Sequence, residues 1–216
     1  MIKGIIFDFD GVIAESIQIK TDAFATLYSD NGADIVQRVV SHHEANGGMS
    51  RFDKIKYYHK TFLNITLTEK EIMELADRFS ILVIDKVTEA PYVPGAIEYI
   101  QNIFIKYKLF ISTGTPIKEI IKILEGRNIA HYFTGVYGSP SKKKNHIMDI
   151  FIKYNLLPEE IIFFGDAKTD IEAAVHHNVQ FVLRIHKYNY NYFKLNNYTV
   201  IKDFNDTEIL KPIFSQ

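Results

Sequence analysis

Residues 4–16 read GIIFDFDGVIAES. An apolar run ends in two aspartates, Asp8 and Asp10, and a glycine follows at once. Two carboxylates at the tip of a buried strand repel each other and lose solvation. In extended backbone residues two apart point to the same side, and Gly11 permits a sharp turn. Such a tip calls for a compensating cation.

Working outward, other short apolar runs follow the first: residues 109–112 (LFIS), 161–164 (IIFF) and 179–185 (VQFVLRI), with 132–137 (YFTGVY) a weaker candidate. Continuous rather than alternating apolar runs suit a parallel sheet covered on both faces. Helical patterns separate them. Pro94 opens PGAIEYIQNIFIKY, Pro116 opens PIKEIIKILEG with Gly126 as its stop, and amphipathic stretches lie at 143–155 and 169–176. The alternation predicts an α/β, doubly wound parallel sheet.

Residues 16–88 break the rhythm with four helical stretches and no strand. Thr68 with Glu71, and Ser50 with Asp53, have capping-box spacing. NGGMS (46–50) separates two helices, and EAPYVPG (89–95) serves as the return linker. The expected organisation is a core of residues 1–15 and 89–216 with an inserted α-helical cap at 16–88.

Composition narrows the function. The chain has 216 residues, 47% hydrophobic, enough for a sizeable core. Its 25 Lys and Arg balance 26 Asp and Glu, which gives no support to bulk nucleic-acid binding. With no cysteine, disulfides, thiolate zinc sites and cysteine nucleophiles are excluded. No run approaches a membrane span, and no leader pattern opens the chain. A cytoplasmic protein without a membrane partner, monomer or homodimer, is expected.

Three predicted strands end in polar chemistry: Asp8-Phe9-Asp10-Gly11, STGTP (112–116) and GDAKTD (165–170). In a parallel sheet these tips share one edge, where open α/β sheets bind ligands. Asp8, Asp10 and Asp166 would concentrate negative charge there. Oxygen ligands without His or Cys favour Mg²⁺. SKKKN (141–145) offers lysines, and a carboxylate beside a metal and an ammonium is a nucleophile suited to phosphorus. A lone D-x-D-G also fits a turn with a helix cap; the three tips in order argue for chemistry.

These motifs resemble the haloacid dehalogenase superfamily, in its phosphoglycolate phosphatase and β-phosphoglucomutase-like group with a helical cap. DFDGV matches the first motif, Thr113 the second, a lysine among 142–144 the third, and GDAKTD the fourth; the likeness spans about residues 2–185. It implies Asp8 as nucleophile and metal ligand, and Asp10 as general acid/base with its carbonyl on the metal. Thr113 and the Gly114 amide would hold phosphate oxygens, a lysine would bind the phosphoryl group, Asp166 would ligate Mg²⁺, and Asp170 would orient the lysine or a metal-bound water. Spacing from Asp166 favours Lys143, Lys142 and Lys144 staying open, and Ser112 rivals Thr113. The presence of Asp10 favours phosphate esters over carbon–halogen or carbon–phosphorus bonds. In the cap, Arg51 is the expected substrate-binding residue, with His42, His43, Lys54 and, after the first motif, Lys20 as further candidates. The implied activity is Mg²⁺-dependent hydrolysis of a small phosphorylated metabolite through an aspartyl-phosphate. The alternatives are a sugar phosphomutase and a non-catalytic phospho-ligand binder. The tyrosine-rich stretch 186–198 is expected to be a surface loop leading to a last strand, YTVIKDF.

Overall fold

The opening apolar run forms β1 (Gly4–Phe7), fully buried at every position. In the computed structural model, which describes residues 1–190, 198–205 and 207–214, β1 lies between β2 (Lys108–Pro116) and β4 (Ile161–Gly165). With β3 (Gly135–Ser139), β5 (Gln180–Arg184) and β6 (Thr199–Ile201) these make a parallel sheet in the order β3-β2-β1-β4-β5-β6. The weakest predicted strand, 132–137, begins at Gly135 and runs on to Ser139, because a short 3-10 turn at Ala130–Tyr132 precedes it. β2 runs past the apolar LFIS to Pro116, with its pairing to β3 shifting register between Ser112 and Pro116.

Strand residues alternate between faces, and the sheet has a core on each. Ile5, Phe7, Ile111 and Phe164 join one core. Ile6, Phe110 and Phe163 join the other, beneath α7 (Lys143–Tyr154) and α8 (Lys168–His176). Each such fully buried side chain contributes about 1.5–3 kcal/mol. Phe7 and Phe164, register partners on adjacent strands, stack with ring centroids 5.1 Å apart. α5 (Ala96–Ile103) and α6 (Ile117–Gly126) supply Ile100, Ile120, Ile123 and Leu124 to the first core.

Between β1 and α5 stand four α-helices: α1 (Ile17–Leu27), α2 (Ala33–Ala45), α3 (Arg51–Tyr58) and α4 (Glu69–Glu89). They bury Phe24, Tyr58, Phe79 and Val83 among themselves. The Thr68–Glu71 box forms: Glu71 N–H donates to Thr68 Oγ1 at 3.3 Å and Thr68 N–H to Glu71 Oε2 at 2.7 Å, worth about 1 kcal/mol. Ser50 Oγ accepts from Asp53 N–H, opening α3. The chain enters and leaves this run of helices side by side: Val93 N–H donates to Ile13 O and Glu15 N–H to Pro91 O, both at 2.9 Å. No helix among the described residues is long and apolar enough to cross a membrane.

Gly11 turns the chain off β1 at φ +75°, and a Cβ there would lie 2.3 Å from Asp166 Oδ2. Both the left-handed backbone and the close approach require glycine. Gly11→Ala is expected to destabilise the fold by about 2 kcal/mol or more, read as a lowered urea midpoint at unchanged slope.

Candidate active site

The carboxyl ends of β1, β2 and β4 deliver their polar tips to one cavity of about 270 Å³. Asp8, Asp10, Thr113, Gly114 and Asp166 all line it. Lys143 is the first residue of α7, and its Nζ reaches Asp8 Oδ2 at 2.7 Å and Asp170 Oδ1 at 2.5 Å. Burial opposes a charged lysine, but Asp170 and Asp8 outweigh it and hold its pKa above the ordinary value. Lys142 and Lys144, one residue either side, are exposed. Thr113 faces the cavity and its Oγ1 accepts from Thr115 N–H at 3.2 Å. Ser112 turns to the other face of β2, where its hydroxyl meets His146 Nδ1 at 2.9 Å.

Asp8, Asp166 and Asp170 each offer an oxygen within 4.8 Å of the others, and all three are buried. Burial, reinforced by Asp8, pushes Asp166 well above the usual carboxylate range. Three carboxylates beside one lysine leave excess negative charge, and hard oxygen donors suit a divalent cation. The donor set therefore fits the metal. Asp170 is already engaged, by Lys143 at Oδ1 and by Ala167 N–H at Oδ2, 3.1 Å. The Asp10 side chain stands apart from this cluster: it meets Lys20 Nζ at Oδ2 and Ser16 Oγ at 2.6 Å. Burial disfavours its charged form, yet Lys20, Ser16 and Thr115 prevail and lower its pKa below the ordinary value.

A family model for haloacid dehalogenase-like hydrolases matches residues 5–184. The chain belongs to that family. It is 30% identical over 182 residues to a phosphoglycolate phosphatase from Photorhabdus laumondii, covering 80% of this chain and 76% of that protein. It is 24% identical to a phosphorylated carbohydrates phosphatase from Thermotoga maritima, over 80% of each. The fold of a β-phosphoglucomutase from Clostridium difficile superposes with a TM-score of 0.80 at 21% identity, covering 100% of this chain and 98% of that one.

In this haloacid dehalogenase-like hydrolase the helices between β1 and α5 lie against the sheet edge. The backbone oxygen of Gly48 would sit 2.9 Å from a Cβ on Gly114. Arg51 lines the cavity, but its guanidinium is occupied. NH2 donates to Glu119 Oε1 at 2.5 Å, and NH1 donates to Glu119 Oε2 at 2.8 Å and to Ser80 at 2.6 Å. The expectation that Arg51 greets a substrate anion meets a bidentate internal carboxylate instead, joining α3 to α6. His42 on α2 stacks on Tyr57 of α3, ring centroids 4.2 Å apart, whereas His43 and Lys54 line the cavity. Lys20 bridges Asp10 and, at 2.7 Å, Thr115.

The segment after β5 departs from the surface loop expected of 186–198, of which residues 191–197 lie outside the described residues. His186 Nε2 sits 2.8 Å from Asp166 Oδ2, and Asn189 Nδ2 donates to the Asp166 carbonyl at 2.8 Å. His186, Tyr188 and Asn189 line the cavity. Burial and Arg184 lower the His186 pKa to about 4, so the ring is neutral. A signal was present in the sequence: these residues follow the tip of another parallel strand and so arrive at the same edge.

Breaking a buried ion pair on one side strands the other charge. Arg51→Ala and Glu119→Ala are each expected to destabilise the protein by about 3 kcal/mol. The double variant is expected to lose far less than their sum in a urea double-mutant cycle. A near-zero coupling would remove the clasp reading.

Proposed function

We propose that this phosphatase of the haloacid dehalogenase-like family hydrolyses a small phosphomonoester through an aspartyl-phosphate on Asp8, with Mg²⁺ as its metal. The observation that carries the reading is the buried contact of Lys143 with Asp8, 2.7 Å, in a cavity shared with Asp10, Thr113, Gly114 and Asp166. The curated relatives, named as phosphatases, support the same reaction class.

Asp8 carries the nucleophilic oxygen. Phe9 N–H donates to its Oδ1 at 2.6 Å and Lys143 to Oδ2, which orients the carboxylate. In the first step an Asp8 oxygen bonds to phosphorus while the ester P–O bond breaks, and the fraction of enzyme with Asp10 in its acid form gives a proton to the leaving oxygen. In the second, Asp10 takes a proton from the water that attacks the phosphoryl group on Asp8, releasing inorganic phosphate and the free carboxylate. The Thr113 hydroxyl, the Gly114 N–H and the Lys143 ammonium are suited to hold the transferring oxygens. Asp8, Asp166 and the Asp10 carbonyl would hold the Mg²⁺, with Asp170 positioning Lys143; the ion supplies charge neutralisation for the phosphoryl oxygens. In this reading the segment 16–88 is the cap, the partner is a phosphorylated metabolite rather than nucleic acid or membrane, and the enzyme works in the cytoplasm as monomer or homodimer.

Phosphate release from a panel of phosphomonoesters tests this. Turnover is expected with Mg²⁺, loss of activity with a chelator, and a fall of at least about 10³-fold for Asp8→Asn. Turnover confined to a sugar phosphate in the presence of a bisphosphate activator would instead favour the phosphomutase. No turnover with tight ester binding would favour a binder.

Lys20 lowers the Asp10 pKa, so its removal raises that pKa and the basic form is lost at higher pH. In Lys20→Met the acid limb of the kcat profile is therefore expected to move upward in pH. An unmoved limb would detach Asp10 from the second step.

A further inference from the structure

The turn after β5 closes on itself. Asn189 Oδ1 accepts from His186 N–H at 2.8 Å, Asn189 Nδ2 donates to Arg184 O at 2.9 Å, and Tyr190 N–H donates to His186 O at 3.1 Å. Arg184 braces the neighbouring exit from β1, with NH1 on Gly11 O at 3.1 Å and NH2 on Glu15. None of these bonds uses the imidazole of His186, so the turn does not need that ring in order to form. The ring is directed at the carboxylate cluster instead. Its side chain is 8% exposed, and Nε2 lies 2.8 Å from Asp166 Oδ2.

The backbone settles which ring nitrogen carries the proton. Tyr188 N–H donates to Nδ1 at 3.2 Å, so Nδ1 presents its lone pair and the proton sits on Nε2. His186 is therefore a neutral donor to Asp166 Oδ2. Lys143, by contrast, sets a positive charge against Asp8 and Asp170. A neutral N–H fixes a carboxylate oxygen without cancelling the charge that attracts a metal. Gly11 closes the same oxygen from another side, since a Cβ there would lie 2.3 Å from it. Asp166 Oδ1 accepts no hydrogen bond among the described residues. One oxygen of Asp166 is committed and the other is free.

That difference separates two divalent cations. Mg²⁺ demands a tight octahedron, met by single carboxylate oxygens, whereas Ca²⁺ takes more ligands and accepts both oxygens of one carboxylate. We propose that His186 is a positioning residue for the metal: by holding Asp166 Oδ2 it leaves a divalent cation one Asp166 oxygen, which favours Mg²⁺ over Ca²⁺. The inference rests on the phosphatase reading of this cluster, in which Asp166 is a metal ligand, and adds to it a residue that selects among metals.

Calorimetric titration of Mg²⁺ and of Ca²⁺ into chelator-treated protein, without substrate, tests this. In His186→Leu the Mg²⁺ Kd is expected to rise about tenfold or more. The Ca²⁺ Kd is expected to rise by no more than about threefold, because a freed Oδ2 suits Ca²⁺. His186→Gln, whose amide N–H reaches Oδ2, is expected to stay within about threefold of wild type for both ions. His186→Asn, a methylene shorter, is expected to behave as His186→Leu does. The Gln and Asn variants differ in reach alone, so they carry the comparison should His186→Leu fail to fold. Unchanged affinities, equal losses for both ions, or a Gln variant no better than the Asn variant overturns the proposal and leaves the metal reading intact. A wild type that binds neither ion overturns both. The titrations involve no turnover, so a wild type that binds Mg²⁺ but hydrolyses no ester sinks the phosphatase reading alone, and the variants still decide the role of His186.

Discussion

Lys143 Nζ sits between Asp8 Oδ2 and Asp170 Oδ1, at 2.7 and 2.5 Å, with Asp166 close beside. Three buried carboxylates around one ammonium are an arrangement that a fold does not keep for stability, since an apolar replacement of such a cluster is often as stable or more so. Its geometry depends on every element around it. β1 and β4 must be adjacent to bring Asp8 beside Asp166. α7 must begin at Lys143 for its side chain to reach the gap. Gly11 must turn away without a Cβ, because Asp166 occupies that space.

The helices between β1 and α5 add a second electrostatic layer. Arg51 and Glu119 form a bidentate contact between α3 and α6, while Lys20 ties α1 to Asp10 and to Thr115 on β2. Both contacts hold these helices in place by charge, beside a point where a Cβ on Gly114 would lie 2.9 Å from the Gly48 backbone oxygen. Against the effect of burial, Lys20 on α1 lowers the Asp10 pKa, so the placement of that helix and the proposed acid/base chemistry are linked.

Seen together, the cavity has two ends of different character. At the sheet edge negative charge exceeds positive, which suits a divalent cation. At its other end Lys54 is buried against His43.

The sheet, its covering helices and the run of helices between β1 and α5 were legible in the sequence because each rests on local patterning. Ile5 to Phe7, Leu109 to Ser112 and Ile161 to Phe164 read as buried strands from composition alone, and the Thr68–Glu71 spacing marked the start of α4. The convergence of Asp8, Thr113 and Asp166 followed from topology, since parallel strands share a carboxyl edge. Side-chain pairing is another matter, because it depends on angles and distances between elements far apart in the chain. Glu119 takes the guanidinium of Arg51 from 68 residues away, and Lys20 meets Thr115 across 95. His186 reaches Asp166 because the chain turns back over the sheet edge after β5, and Lys54 meets His43, 11 residues away, rather than a carboxylate among the described residues. Periodicity and motif spacing determine which residues arrive at the edge; only the packed structure decides which charges neutralise one another there.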